Sequence, residues 1–345
     1  MASDVLADLS RFSRTPLLDA VTPIQRLHRL EQALASDAGD IRLFVKRDDL
    51  MGIGGGGNKL RKLEFLMGEA LASGCDTFIT TGGMQSNHAR LSAAVAARAG
   101  LACELVLRPN VPREDEEYRR NGNILLDGLF GATIHELAGE ADAAAFAAER
   151  ASHLRRAGRR PYLAGTGGST PIGCLGYAAC AAEIVAQEAA LEETFDRIVI
   201  PNGSSGTHAG LVAGFAAMAM DPRRVQSFAV LTPAEATRGK THELAGATLA
   251  LLQKDASIGL DAIDVAGEQL GTGYGMPTEA MFEAVHLMAR TEGLLLDPVY
   301  GGKAFAGLLA ALRAGAYRQG EAVLFLMTGG VAGLFAYRPA FERRA

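Results

Sequence analysis

Two stretches of this 345-residue chain place small residues next to groups that can do chemistry. The first is Gly203-Ser204-Ser205-Gly206-Thr207, which follows the β-type run Arg197 to Pro201 and opens an apolar, helical stretch. Small residues let backbone N–H groups approach an anion closely. The start of a helix adds a favourable dipole, and the three hydroxyls can donate as well. The result is a cradle for one phosphate monoester; helix capping by Ser and Thr is the plainer alternative. The second stretch is the glycine run Gly52-Ile53-Gly54-Gly55-Gly56-Gly57, followed by Asn58 and then Lys59 at the start of a helix. A lysine held at a crevice edge beside a phosphate site can form a Schiff base, activated by desolvation or neighbouring cations, although most lysines so placed are solvated. Arg61 and Lys62 are read as lying on other helix faces than Lys59, which leaves open which of the three points inward. The glycine run also matches G-x-G-x-x-G, but almost any glycine run does. A dinucleotide site needs an acid at the end of the next strand, which here reads Thr80-Thr81-Gly82-Gly83, and a P-loop needs Lys-Ser or Lys-Thr after the run.

The elements that must position these residues alternate strand and helix. Expected strands are Leu43 to Lys46, Thr77 to Thr81, Cys103 to Leu107, Thr133 to Leu137, Tyr162 to Ala164, Arg197 to Pro201, Phe228 to Leu231 and Ala322 to Met327. Between them fall helices near Lys59, with Leu60, Leu63, Met67 and Leu71 on one face, then Ala89 to Arg98, Asn123 to Leu129 and Ala141 to Arg155. Further helices begin near Ile172 and Thr207 and run over His242 to Gln253, Thr278 to Glu292 and Lys303 to Ala314. Repeated strand–helix–strand alternation implies an α/β fold with mostly parallel sheets covered by helices on both faces. Ligands of such folds sit beyond the carboxyl ends of the strands, where several of these glycine-rich turns fall.

The bulk properties set the class. Hydrophobic residues make up 48% and charged residues 21%, as in an ordinary globular protein. A net charge of -5 argues against nucleic acid as the main partner, and Arg155, Arg156, Arg159 and Arg160 read as a solvated helix end and turn. Cys75, Cys103, Cys174 and Cys180 form no CxxC pair and no metal-type spacing, so buried reduced thiols and a cytoplasmic location are expected, with no metal. The N-terminus lacks the apolar core of a signal peptide. The apolar stretch around Gly210 to Met220, taken as the longest, is too short to span a bilayer, so no membrane partner is expected.

Ordered motifs along nearly the whole chain carry a resemblance. Gly57-Asn58-Lys59-Leu60-Arg61-Lys62-Leu63-Glu64, Gln85-Ser86-Asn87-His88, Gly122-Asn123-Ile124, Gly168-Ser169, the Gly203 to Thr207 loop, Tyr274-Gly275-Met276-Pro277, Asp297-Pro298-Val299-Tyr300 and Thr328-Gly329-Gly330 resemble the D-cysteine desulfhydrase and 1-aminocyclopropane-1-carboxylate deaminase family. That family shares the fold of tryptophan synthase β. The resemblance implies two open, mostly parallel twisted sheets with flanking helices and pyridoxal 5'-phosphate as cofactor. It makes Lys59 the Schiff-base lysine, with Asn58 beside it among the cofactor-binding residues. Asn87 would bond the phenolic oxygen, and Gly203, Ser204, Ser205, Gly206 and Thr207 would hold the phosphate. Ser86, Asn87 and His88 would grip a substrate carboxylate. Tyr300 would pack near the ring and Tyr274 on the substrate side, where residues alone suggest core aromatics with satisfied hydroxyls. Lys59, Ser86, Tyr274 and Tyr300 are thus the catalytic candidates.

Within the family, the ring-opening deaminase pattern has Glu after the tyrosine and Leu at the Thr328 position, and Gln at the position of His88. This chain has Gly301, Thr328 and His88, which fits the desulfhydrase except that Gly301 replaces a small hydroxyl residue and is expected to widen the pocket. A carboxylate at the pyridine nitrogen makes a strong electron sink; a neutral hydroxyl makes a weaker one that suffices when a good leaving group stands on the β-carbon. The expected reaction is elimination of sulfide and ammonia from D-cysteine to give pyruvate. Ring opening of 1-aminocyclopropane-1-carboxylate, or elimination from L-cysteate or another β-substituted alanine, is the alternative. Residues 1–60 and 172–345 are expected to form a large cofactor domain and 61–171 a small one. The cofactor is expected in the cleft between them, in a homodimer acting on a small amino acid.

Overall fold

The structure, a computed structural model, describes residues 2–342. Among the described residues ten strands form two sheets: β1 (Ile24–Arg26), β2 (Arg42–Arg47), β3 (Thr77–Gly83), β4 (Ala102–Arg108), β5 (Thr133–Glu136), β6 (Pro161–Ala164), β7 (Arg197–Asn202), β8 (Val225–Ala229), β9 (Asp264–Ala266) and β10 (Ala322–Met327). The larger sheet has the order β1-β2-β10-β7-β8-β9 and the smaller β5-β4-β3-β6. Every pairing is parallel except that of β1 with β2. The expected pair of open, mostly parallel sheets is therefore present.

The central strand β10 shows why the larger sheet forms. All six of its residues are buried, the mark of a strand covered on both faces. Its side chains alternate between two cores. Leu324 and Leu326 join Ile198 and Ile200 beneath the helices Pro171–Leu191 and Gly206–Ala217, while Val323 and Phe325 join Val199 beneath Glu279–Glu292 and Gly301–Arg313. In the smaller sheet Leu105 and Leu107 face the helices Lys59–Ala72 and Asn87–Ala99, and Val106 faces Ala143–Arg156.

Three helices meet at nearly backbone contact because glycine stands at the crossings. A Cβ on Gly176 would lie 2.0 Å from Arg61 O, and one on Gly210 would lie 2.3 Å from Cys174 O. Helix Pro171–Leu191 thus locks the Lys59 helix on one side and the Gly206 helix on the other. Arg61 adds a polar anchor: its guanidinium bonds Asp48 at 2.8 and 2.9 Å and Glu183 at 2.9 and 3.0 Å, and Tyr177 Oη donates to Asp48 at 2.6 Å.

Several expectations shift. The strand expected over 228–231 is Val225–Ala229, and Leu231 turns out toward the cavity described below. The helix expected from His242 begins at Ala234, straight after Pro233. Two three-residue edge strands, β1 and β9, went unread because they are too short to show a period. Leu71 does not continue the buried face of its helix; it is 40% exposed. The longest apolar helix is Pro171–Leu191 rather than the 210–220 stretch. By length and composition it could cross a membrane, but it lies largely buried in the core. Cys103, Cys174 and Cys180 are buried thiols as expected, while Cys75 is only half-buried. Arg155 and Arg156 end their helix exposed to solvent, and Arg159 pairs with Asp76 at 3.1 Å.

Candidate active site

In the larger sheet the chain leaves β7 through β8 to β9, whereas β10 lies on the other side of β7; in the smaller sheet β4 and β5 lie on one side of β3 and β6 on the other. Each sheet therefore has a switch point, where parallel α/β folds open a crevice beyond the strand ends. The two crevices face one another across a single cavity. The larger sheet contributes Asn202 to Ser205 and Thr328; the smaller contributes Gly82, Gly83, Thr166 and Gly167.

Asn58, Lys59, Ser86, Asn87, His88, Gly203, Ser204, Ser205, Thr207, Tyr274, Tyr300 and Thr328 all line this cavity. Gly206 sits just behind the wall, where a Cβ would come within 2.6 Å of Ser169 Oγ and 2.7 Å of Lys62 Nζ. Ser205 takes φ +70 and turns the chain into the Gly206 helix, whose first N–H groups have no intrahelical acceptor. Ser169 Oγ donates to Ser204 Oγ at 2.7 Å and receives Lys62 Nζ at 3.0 Å. The cradle expected from sequence thus carries a buried ammonium.

This corrects the placement of Lys62 on a different face from Lys59. The two are three residues apart in a helix and share a side. Arg61 is the one that turns away, into its ion network. Burial pushes Lys62 down to about 8. Lys59 is held well below the ordinary lysine range, first by burial and then by the charge of Lys62, with Asp297 pulling the other way. Asn58 ties this corner together: its N–H donates to Thr328 O at 3.0 Å, and its Nδ2 donates to Thr207 Oγ1 at 3.0 Å. A Cβ on Gly57 would lie 3.0 Å from Thr328 O, so the glycine lets the loop close against β10.

On the opposite wall, Ser86 caps the Asn87 helix by accepting Ala89 N–H at 3.2 Å, which leaves the N–H groups of Asn87 and His88 free of helical partners. His88 Nε2 meets Thr80 Oγ1 at 3.0 Å, and its buried Nδ1 has no partner. Burial, then Lys59 and Lys62, keep this imidazole neutral. Tyr274 and Tyr300 share a hydrogen bond of 2.6 Å between their hydroxyls, and burial raises both above the ordinary tyrosine range. Both rings pack against the core of the smaller sheet with their hydroxyls satisfied by each other, as the plain reading has it, and both also line the cavity.

Gly301 does not widen the cavity as expected. It is absent from the lining, and a Cβ there would point at Asp297 Oδ1, 3.1 Å away. Asp297 accepts N–H bonds from Val299, Tyr300 and Gly301 at 3.0, 2.9 and 2.7 Å, and burial raises its carboxyl to about 6. Sequence reading also left Asn110, Thr166, Gly167, Pro201, Asn202 and Leu231 unassigned, though all line the cavity. Pro201 and Asn202 end β7 and the others stand in turns after strands, and that position was the signal available.

Residues 16–329 match a family profile described as pyridoxal-phosphate dependent enzyme. The chain is 39% identical over 331 residues to a D-cysteine desulfhydrase of Serratia proteamaculans, covering 96% of this chain and 98% of that protein. It is 40% identical over 336 residues to a D-cysteine desulfhydrase of Salmonella typhi, covering 97% and 99%. Among solved structures, an ACC deaminase homologue superposes with TM-score 0.88 at 35% identity over 99% of both chains. A pyridoxal 5'-phosphate-dependent aspartate racemase superposes with TM-score 0.65 at 14% identity, over 96% of this chain and 95% of that one, a likeness of fold alone. With a desolvated lysine lining one cavity with Gly203, Ser204, Ser205 and Thr207 at the meeting of two switch points, and matches running almost from end to end, the chain belongs to the pyridoxal-phosphate dependent enzymes.

Proposed function

We propose that this enzyme eliminates the β-substituent and the amino group of a small amino acid, with D-cysteine giving pyruvate, sulfide and ammonia. The observation that carries the reading is Lys59. It is desolvated and set between the Gly203–Thr207 cradle and the start of the Asn87 helix. The residues fit pyridoxal phosphate: unclaimed N–H groups, the hydroxyls of Ser204, Ser205 and Thr207, and the Lys62 ammonium suit a phosphate dianion. When bound, the cofactor supplies an aldehyde for Lys59 and a sink for the electrons left on the substrate α-carbon.

The chain's own residues do the rest. The amine of Lys59, which burial makes less basic than an ordinary lysine, takes the α-proton onto Nζ. The N–H groups of Asn87 and His88 and the Ser86 hydroxyl receive the substrate carboxylate. Asn87, on the same wall, would hold the cofactor's phenolic oxygen. Thr328, which also lines the cavity, would offer a neutral hydroxyl to the ring nitrogen. The Tyr274–Tyr300 pair, both protonated at neutral pH, encloses the reacting carbons and excludes water. The Cβ–S bond breaks with its electron pair on sulfur, which leaves as hydrosulfide, and the released enamine takes up water to give pyruvate and ammonia.

The names of the relatives and the neutral Thr328 support D-cysteine as substrate. The test is pyruvate and sulfide release from D-cysteine beside L-cysteine, L-cysteate and 1-aminocyclopropane-1-carboxylate. Sulfide with pyruvate from the D-isomer, abolished by Lys59→Ala, is the expected result. The likeness to an ACC deaminase homologue favours a second reading. If 2-oxobutyrate from the cyclopropane is the only product, ring opening replaces sulfide elimination. The same proposal divides the chain into 1–60 with 172–345 and 61–171, and takes it as a cytoplasmic homodimer. Four unpaired cysteines suit a reducing compartment, and sedimentation at working concentration tests the dimer.

A further inference from the structure

The motif Gly122-Asn123-Ile124 is left without a task by this reading, yet it lies directly behind the site. Helix Asn123–Leu129 packs on the Asn87 helix and turns two buried polar residues inward: Asn123, 1% exposed, and Asp127, fully buried. The bonds around Asn123 form a chain of fixed orientations. Gln85 Nε2 donates to two backbone carbonyls, Tyr118 O at 2.6 Å and Asn121 O at 2.9 Å. Carbonyls only accept, so the Gln85 amide has one permitted orientation, and its Oε1 accepts Asn123 N–H at 2.9 Å. Asn123 Nδ2 donates to another carbonyl, Gln85 O at 3.0 Å, which fixes the second amide. The same Nδ2 donates to Asn87 Oδ1 at 3.0 Å. With its oxygen held, Asn87 can present only Nδ2 elsewhere. That nitrogen lies beside Gly330, where a Cβ would come within 2.7 Å of it.

Asn123 makes these two donor bonds while its own Oδ1 stays buried without a partner. An unmet buried acceptor weakens a fold, so stability alone gives no reason for this arrangement. Gly122 gives the pair room: it takes φ +63, and a Cβ on it would lie 2.7 Å from Gln85 Oε1 and 2.8 Å from Ala332 O.

We propose that Asn123, oriented by Gln85, is a positioning residue that keeps the donor edge of Asn87 turned into the cavity. This rests on the proposed role of Asn87 at the phenolic oxygen of pyridoxal phosphate. A donor there favours the phenolate, which absorbs at longer wavelength than the phenol. The test is the visible spectrum of the reconstituted holoenzyme together with steady-state kinetics. Asn123→Asp keeps the side chain's size and replaces the donating group by an acceptor. The holoenzyme band is expected to move to shorter wavelength, and kcat/KM to fall about tenfold, the worth of one well-placed hydrogen bond. Because Asn123 acts through Asn87, adding Asn123→Asp to Asn87→Ala should change neither readout further.

A purely structural residue would alter melting without moving the band. An unchanged band and rate in Asn123→Asp, or effects that add to those of Asn87→Ala, overturn the proposal. If Asn123→Asp does not fold, Asn123→Ala, which also removes the donor, is read by the same criteria. Wild-type protein that takes up no pyridoxal phosphate overturns this proposal together with the site reading beneath it. Wild-type holoenzyme whose band Asn123→Asp leaves in place overturns the positioning role alone.

Discussion

Lys62 is buried without a carboxylate partner among the described residues, with only a hydroxyl and a carbonyl within reach. Burial depresses it to about 8 from an ordinary 10.5. Below pH 8 it is protonated in both folded and unfolded chains, and the folded state bears the full cost of an uncompensated charge. As pH rises from 8 toward 10.5 the folded chain has given up its proton and the unfolded chain has not, so this cost fades and stability rises. A bound phosphate supplies the missing countercharge. Pyridoxal phosphate should therefore raise Tm more at pH 7 than at pH 9.5 or above, and Lys62→Met should abolish most of that difference while weakening cofactor affinity about ten- to hundredfold. Melting curves of apo and holo forms across pH check both. A cofactor stabilisation that ignores pH in wild type would remove Lys62 from the phosphate site. The sequence reading set this residue on another face than Lys59, whereas residues three apart in a helix share a side.

At the scale of elements, the site depends on how closely three helices cross. Gly176 and Gly210 have no room for a methyl group, since the atoms that a Cβ would strike are backbone carbonyls of neighbouring turns. Gly176→Ala must push the Lys59 helix off the Pro171 helix, and overpacking of this kind costs about 1–3 kcal/mol. It should also displace Lys59 from the cradle. Gly239→Ala, in the Ala234–Leu251 helix with nothing near its Cβ, should leave stability unchanged or slightly raised. Denaturant midpoints and cofactor affinity of the two variants check the contrast; equal behaviour would mean the crossing is compliant. The buried strand Ala322–Met327 was legible to the residue, because burial on both faces makes it a continuous apolar run. The three-residue edge strands were not, since pairing with a neighbour forms them and pairing leaves no local pattern.

At the scale of the whole molecule, the cavity has walls from both sheets, so a cofactor bound there links them. Holoenzyme should melt above apoenzyme by a margin that grows with free pyridoxal phosphate, about 2.7 kcal/mol at a hundred times Kd. Calorimetry at several cofactor concentrations checks this. A Tm that does not move with concentration would place the cofactor outside the shared cavity.

The sequence by itself determined the α/β class and marked the Gly203–Thr207 loop and Lys59 as candidates, because glycine runs, hydroxyl clusters and strand periods are local consequences of backbone geometry and burial. Its resemblance to a family named Asn87, Tyr274, Tyr300 and Thr328, and every one of them lines the cavity. Only the tertiary structure decided the relations that bring distant segments together. It turned Arg61 away and Lys62 inward, aimed Gly301 at Asp297 rather than at the cavity, and set Asn123 behind Asn87. These depend on helix crossings and on which amide edge meets which carbonyl. A one-dimensional pattern records residue types, whereas hydrogen-bond direction exists only once the partners have been folded against each other.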